Sequence, residues 1–160
     1  SGSMREPAEA GSKETRKDRA VAELARALRA LPPSARFNVL LVRAEVEPFS
    51  RKGLQPAAPK TVEEAVSFAE RADARQSGDF WKGFRAAMED PDADCVYFLS
   101  DGAPSAGAFV YRERLVEAVD ALARLRQVEV NAALFGTDEY DRRFLEELAR
   151  ATGGEFRAAR

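Results

Sequence analysis

Apolar runs of two different periods alternate along this chain, and the alternation is the strongest constraint on its fold. Continuous apolar runs, typical of strands covered on both faces, occupy 37–42, 95–99 and 128–135, and a short final strand follows at 155–158. Apolar residues at helical spacing occupy 16–31, 61–72, 80–88, 111–125 and 139–151. Strands that alternate with helices predict an α/β fold of three layers, doubly wound and Rossmann-like, around a mostly parallel sheet. The segment 44–49 alternates and contains a proline, which predicts one antiparallel edge strand.

Polar residues with known local roles set the expected boundaries. Thr61 and Glu64 form a capping-box pattern that predicts the start of the second helix, and Asp79 is a predicted N-cap for the third. The acidic stretch at 138–141 suits the start of the last helix through the helix dipole, and the basic cluster around Arg16 reads as a solvated helix start. Residues 1–15 are polar and predict a flexible arm, which leaves 16–160 as a single domain.

The composition excludes several classes of function. The chain has 25 basic and 27 acidic residues, a balance that argues against nucleic-acid binding. Its longest apolar stretches are too short to cross a membrane, and no secretory leader is visible, which slightly favours the cytoplasm unless the chain is a fragment. There is no histidine, which rules out Ser-His-Asp, Cys-His and His-ligated zinc chemistry within this chain. The single cysteine, Cys95, lies in an apolar run and is predicted to be buried and unreactive.

In a doubly wound sheet the ligand crevice lies beyond the carboxyl ends of the strands, which directs attention to 100–105 and 136–138. Asp101 directly follows a predicted buried strand, where a carboxylate can hold a hard cation or can close an Asx turn. Ser1 and Ser3 could offer hydroxyl oxygens to Mg²⁺, although the same residues also resemble the remnant of an expression tag. Neither GxGxxG nor GxxxxGK[ST] occurs, so dinucleotide and P-loop sites are not predicted.

Taken in order, several segments resemble a von Willebrand factor A domain. They are Ser-Gly-Ser-Met at 1–4, Arg-Ala-Leu-Pro-Pro at 29–33, Arg-Phe-Asn-Val at 36–39, Val-Glu-Pro-Phe at 46–49, Phe-Leu-Ser-Asp-Gly-Ala-Pro at 98–104, Gly-Thr-Asp at 136–138 and the segment 144–154. The resemblance implies a metal-ion-dependent adhesion site in which Ser1, Ser3 and Asp101 match family ligands. The family's first aspartate would precede Ser1 and is absent from this sequence. No threonine aligns on the second loop, where Asp79 or Ser77 would have to supply an oxygen. The expected Mg²⁺ site is therefore degenerate, and the metal should bind weakly or not at all.

The resemblance also implies a central strand that this sequence lacks. In the family the first strand lies between the strands that correspond here to 37–42 and 95–99. Three sources are open: residues of a longer protein, the N-terminal arm, or strand exchange within a homo-oligomer.

The resemblance implies a non-enzymatic module that binds a protein, with an acidic residue of the partner completing the metal site. The alternatives are a metal-free scaffold domain of a larger assembly and a Mg²⁺-dependent hydrolase that uses Asp101.

Overall fold

A computed structural model describes residues 2–8, 12–73, 78–104 and 106–158. A 3₁₀ turn at Gly2–Arg5 opens the chain. The helices are α1 (Arg16–Arg29), α2 (Pro59–Glu70), α3 (Phe80–Ala87), α4 (Arg112–Arg126) and α5 (Glu139–Ala151). The strands are β1 (Arg36–Phe37), β2 (Leu40–Val42), β3 (Val46–Pro48), β4 (Gln55–Pro56), β5 (Cys95–Ser100), β6 (Glu129–Leu134) and β7 (Phe156–Ala158). The α/β class predicted from the sequence is confirmed.

The strands form three hydrogen-bonded groups. β5, β6 and β7 make a parallel sheet in that order, with Cys95 opposite Glu129 and Ala132 opposite Phe156. β2 pairs antiparallel with β3, which is the edge strand that the sequence predicted, and β1 pairs antiparallel with β4, which it did not. Among the described residues no strand pairing joins β2 to β5, the two strands between which the family resemblance places a further strand.

β6 lies at the centre of the main core because helices cover both of its faces. On one face Val130 and Ala132 are fully buried against α4 and α5. On the other face Ala133 packs with Ala20 of α1. The side chains of α4 and α5 that fill this core share complete or nearly complete burial: Leu115, Val119, Leu145 and Leu148. The apolar run at 128–135 is thus the doubly covered strand that its composition predicted.

Helix α3 contacts both β2 and β5. The rings of Phe80 and Phe84 lie 4.9 and 4.8 Å from the ring of Phe98 on β5. Gly83 lies so close to β2 that a Cβ there would come within 2.6 Å of Val42 Cγ2. These aromatic residues pack their helix on the sheet.

Three local expectations were wrong. α2 begins at Pro59 rather than Thr61, because proline at the first helical position already has the required φ; its N-cap Ala58 makes no side-chain hydrogen bond. The strand expected at 37–42 is divided, since the Asn38 amide bonds to the backbone of residue 50. Cys95 is exposed rather than buried, because β5 is an edge strand in the described sheet.

Candidate functional site

A tight turn after β5 positions Asp101 at the carboxyl end of the parallel sheet. The Ser100 hydroxyl donates to the Gly102 carbonyl at 2.9 Å and accepts from the Gly102 N–H at 3.2 Å. The Phe135 N–H donates to the Ser100 carbonyl at 2.9 Å, which joins the end of β6 to this turn. Asp101 is consequently 95% buried, with only 5% of its surface exposed.

Asp101 lines a cavity of about 440 Å³ at this edge of the sheet. The cavity is formed by the first residues of the chain, the start of α1, the turn after β5 and the first turns of α4 and α5. Its polar and charged lining residues are Ser3, Glu6, Arg16, Asp101, Arg112 and Asp141. The crevice therefore lies where a doubly wound fold is expected to bind its ligand.

Asp101 forms an ion pair with the guanidinium of Arg16. Arg16 is the first residue of α1, whose N-cap Thr15 forms a capping box with Asp18. Arg16 Nη2 lies 3.0 Å from Glu6 Oε2, and Nη1 lies 3.9 Å from Asp101 Oδ2. Both Arg16 Nε and Asp101 Oδ2 are buried, and neither has a hydrogen-bond partner in the described structure. A buried acceptor and a buried donor thus face the same cavity unsatisfied.

A second ion pair closes the other side of the cavity. Arg112 Nη2 donates to Asp141 Oδ1 at 2.9 Å. Burial raises the pKa of the Asp141 carboxyl above its ordinary value, and the charges of Asp138 and Asp101 act in the same direction; the Arg112 guanidinium partly opposes them. The cavity therefore contains two arginines: Arg16 is paired with Glu6 and Asp101, and Arg112 is paired with Asp141.

The four residues predicted as metal ligands are placed as follows. Ser3 and Asp101 line the same cavity. Asp79 does not line it: its carboxylate accepts from the Lys82 N–H at 3.1 Å and caps α3, and it packs against Gly107. Ser1 and the alternative donor Ser77 lie outside the described residues. Within the part of the chain that the structure describes, no group of three or more carboxylate, thiol or imidazole side chains is arranged to hold a metal ion.

Sequence reasoning did not identify Arg16, Arg112 or Asp141 as residues of the site. Arg16 had been assigned to a solvated helix start, and Asp141 only to a helix dipole. One signal was available for Arg16: Thr15 and Asp18 have capping-box spacing, which fixes Arg16 in the first helical turn. No described strand precedes α1, so this signal places Arg16 in a helical turn but does not place that turn at the cavity.

Exposed apolar side chains lie at the starts of α4 and α5, next in sequence to residues that line the cavity. Tyr111 and Tyr140 are 74% and 69% exposed, and they immediately precede Arg112 and Asp141, whose side chains are hydrogen-bonded to each other. Val110, beside Tyr111, is 49% exposed. Of the five large apolar residues exposed in the described ranges, these three lie at the starts of α4 and α5. We call Val110, Tyr111 and Tyr140 the apolar rim.

A charged cavity with an apolar rim, at the carboxyl ends of parallel strands, is the arrangement of an α/β ligand-binding domain. The sequence profile of the von Willebrand factor type A domain matches residues 9–158, and the chain belongs to this family. Domains of the family generally mediate protein interactions and are generally not enzymes.

One solved structure agrees with the fold. The chain is 18% identical to a von Willebrand factor type A protein from Catenulispora acidiphila, with a TM-score of 0.67 over 91% of this chain. The match covers 35% of that protein, so the chain spans about a third of its length. An uncharacterized membrane-spanning protein from Vibrio fischeri aligns at 17% identity and a TM-score of 0.41, over 100% of this chain and 86% of that one. No curated protein matches the sequence.

No helix within the described ranges has both the length and the apolar character needed to cross a bilayer.

Proposed function

We propose that this chain is a non-enzymatic protein-binding module that contacts its partner through the Asp101 cavity and the apolar rim. The exposure of Tyr111 and Tyr140 beside the cavity is the observation that carries the proposal. Tyrosine is enriched at the centres of protein interfaces because it combines a large apolar ring with a polar end. The rim would supply apolar contact area, and the cavity would supply charge.

The partner is proposed to present an acidic side chain, as the family resemblance implies. In this chain that carboxylate would meet the guanidinium of Arg112, which is 35% exposed at the mouth of the cavity. Arginine donates to carboxylates in a planar, two-pronged geometry, which gives the contact direction as well as attraction. An apolar contact on Tyr111 or Tyr140 beside this ion pair would then exclude water from it.

We propose that Mg²⁺ binds weakly or not at all at the site of Ser1, Ser3, Asp79 and Asp101. Mg²⁺ requires near-octahedral oxygen ligands. In the cavity Asp101 is paired with a guanidinium, and the carboxylate of Asp79 is already used as a helix cap. The described donors do not suit a resident divalent ion. A hydrolase that uses Asp101 is also disfavoured, because its side chain is only 2% exposed.

Site-specific photocrosslinking can test the proposed surface. A photoreactive phenylalanine analogue would replace Tyr111 at the rim, and in a matched control it would replace Leu125. Leu125 is 78% exposed but lies near the other end of the same helix. We expect a discrete crosslinked protein from position 111 in the host cell, none from position 125, and loss of the product with Arg112→Glu. Equal crosslinking from both positions would contradict the proposal.

A second candidate function, a metal-free scaffold domain that completes its sheet with an added strand, is favoured by the unpaired edges of β2 and β5. α3 packs on both strands, as described above. On the opposite side, α1 packs Leu28 against Phe37 and Val39, and its Glu23 accepts a hydrogen bond from Tyr97 of β5 at 3.1 Å. An added strand would lie between these two strand edges, a place that we call the inter-strand slot, with a helix on each side of it. Unpaired strand edges are templates for further pairing.

The two strands that border the slot run in the same direction. At their starts, Arg36 of β1 pairs with Asp92 ahead of β5 at 3.0 Å. Beyond their ends, the Asp79 N–H donates to the Arg43 carbonyl, and Asp79 bridges to Ala106 after β5. A strand parallel to both would leave the slot beside the cavity, where Gly2–Arg5 begins. We propose that the occupant is an extended apolar segment that leads into Gly2.

Hydrogen exchange can test the slot. The amides of β5 that face away from β6 are expected to exchange fast in the 160-residue chain. They are expected to become protected when a segment of about seven residues, five of them apolar, precedes residue 1. A matched extension with proline at its second and fourth positions should give no protection, because proline cannot donate to a strand pairing. Protection without any extension, together with a dimer in solution, would assign the strand to a second copy and contradict the proposed source.

A further inference from the structure

We infer that the guanidinium of Arg16 is the resident cation of the Asp101 cavity, standing where the family holds a metal ion. The charge partner of Asp101 can be measured on the chain without any protein partner, so this inference can fail while the proposed protein-binding function stands. It rests on the position of Arg16, the burial of Asp101 and the polar atoms that each of them leaves unsatisfied.

The burial of the Asp101 side chain favours a cation beside it. The Asp101 side chain is 2% exposed, and an ionised carboxylate at that burial is stable only next to a positive charge. Arg16 supplies it, with Nη1 at 3.9 Å from Oδ2. That separation is about 1 Å longer than a charge-assisted hydrogen bond, so the two groups attract each other by charge without a hydrogen bond. Asp101 Oδ2 and Arg16 Nε are both buried and have no hydrogen-bond partner in the described structure.

Arg16 is held in place by contacts that do not involve Asp101. Its backbone N–H donates to the Glu6 carbonyl at 3.0 Å, and its Nη2 lies 3.0 Å from the Glu6 carboxylate. The capping box of Thr15 and Asp18 fixes the helix start from which the side chain extends. A divalent ion at Asp101 would have to displace or tolerate this guanidinium, and like charges a few ångströms apart in a buried site repel strongly.

A double-mutant cycle is the direct test. We expect Arg16→Gln to lower the urea midpoint of the full chain by about 1 M, since it leaves the buried Asp101 carboxylate without its cation. Asp101→Asn should lower the midpoint by less, because Arg16 keeps its ion pair with Glu6. The urea midpoint of the double variant should fall by clearly less than the sum of the decreases in the two single variants. Arg16→Lys should recover part of the loss because it keeps the charge. The matched control is Arg29→Gln on the same helix, whose pair with Glu63 is exposed on both sides and should shift the midpoint by less than about 0.3 M.

A second measurement keeps the inference testable if Arg16→Gln does not fold. Calorimetric titration of the unmodified chain with Mg²⁺ up to several millimolar is expected to give no saturable heat, with or without Asp101→Asn. Additive losses in the cycle would overturn the inference. Saturable Mg²⁺ binding that Asp101→Asn abolishes would overturn it as well, because the metal would then be the cation that Asp101 holds.

Discussion

Gly136→Ala isolates the backbone contact that holds Asp101 in position. Gly136 follows β6, and a Cβ on it would lie 2.5 Å from the Asp101 carbonyl oxygen and 3.3 Å from its carbonyl carbon. Non-bonded heavy atoms prefer about 3.5 Å or more, so the two backbone segments would have to separate by about 1 Å. Both segments are anchored, since the Phe135 N–H donates to the Ser100 carbonyl immediately beside the contact.

We expect Gly136→Ala to cost about 1–3 kcal/mol of unfolding free energy, the usual range for overpacking a rigid site. Urea unfolding followed by circular dichroism measures this directly. The matched control is Gly102→Ala in the same turn region, where the new Cβ would lie 3.1 Å from Asp141 Oδ2, a side-chain atom that needs to shift by only a few tenths of an ångström. The control should cost less than about 1 kcal/mol. Equal losses in the two variants would refute the placement of Asp101 against the end of β6.

Three further predictions concern the elements that support the cavity. Leu145→Ala should cost about 2–5 kcal/mol in urea unfolding because Leu145 is completely buried, whereas Leu125→Ala on the exposed surface should change stability by less than about 0.5 kcal/mol. Asp138→Ala should cost about 1 kcal/mol in the same assay, since its carboxylate caps α5 through the N–H groups of Tyr140 and Asp141; a loss below about 0.3 kcal/mol would deny it that role. The pKa of Asp141 is raised in the folded state, so its contribution to stability is fully present below its ordinary pKa of 3.8 and is lost as pH rises through the folded value. The stability of the unmodified chain relative to Asp141→Asn should therefore fall as the pH rises above 3.8, and a difference that rises with pH would contradict the direction of the pKa shift.

The sequence predicted elements best where local chemistry decides them. The expected helix at 139–151 coincides with α5 because Asp138 caps its start and Gly153, with φ of 80°, follows its end. The start of α2 was wrong because two local signals competed. Thr61 has capping-box spacing, but Pro59 two residues earlier already favours the first helical position. Local signals of this kind thus predicted that both helices exist. They predicted the first residue of the helix correctly only for α5, where the signals agree.

The candidate site was predicted only where a backbone pattern positions it. Asp101 follows an apolar strand, so its place at the carboxyl edge could be inferred from the strand alone. The approach of Arg16 to Asp101 joins residues 85 positions apart, and no motif encodes it. The exposure of Cys95 depends on which strands pair, and a run of apolar residues does not contain that information. The ion pairs of this cavity join elements that are distant in the sequence, and local sequence patterns do not predict such contacts.

Paramagnetic broadening by Mn²⁺ tests the central claim most directly. Mn²⁺ bound at Asp101 would broaden the amide signals of residues 100–103, which form the turn that carries this carboxylate. With Arg16 as the resident cation, we predict that sub-stoichiometric Mn²⁺ leaves these signals as sharp as those of the last turn of α4, at the far end of that helix from the cavity. Selective loss of the 100–103 signals, reversed by a chelator and absent in Asp101→Asn, would contradict the account.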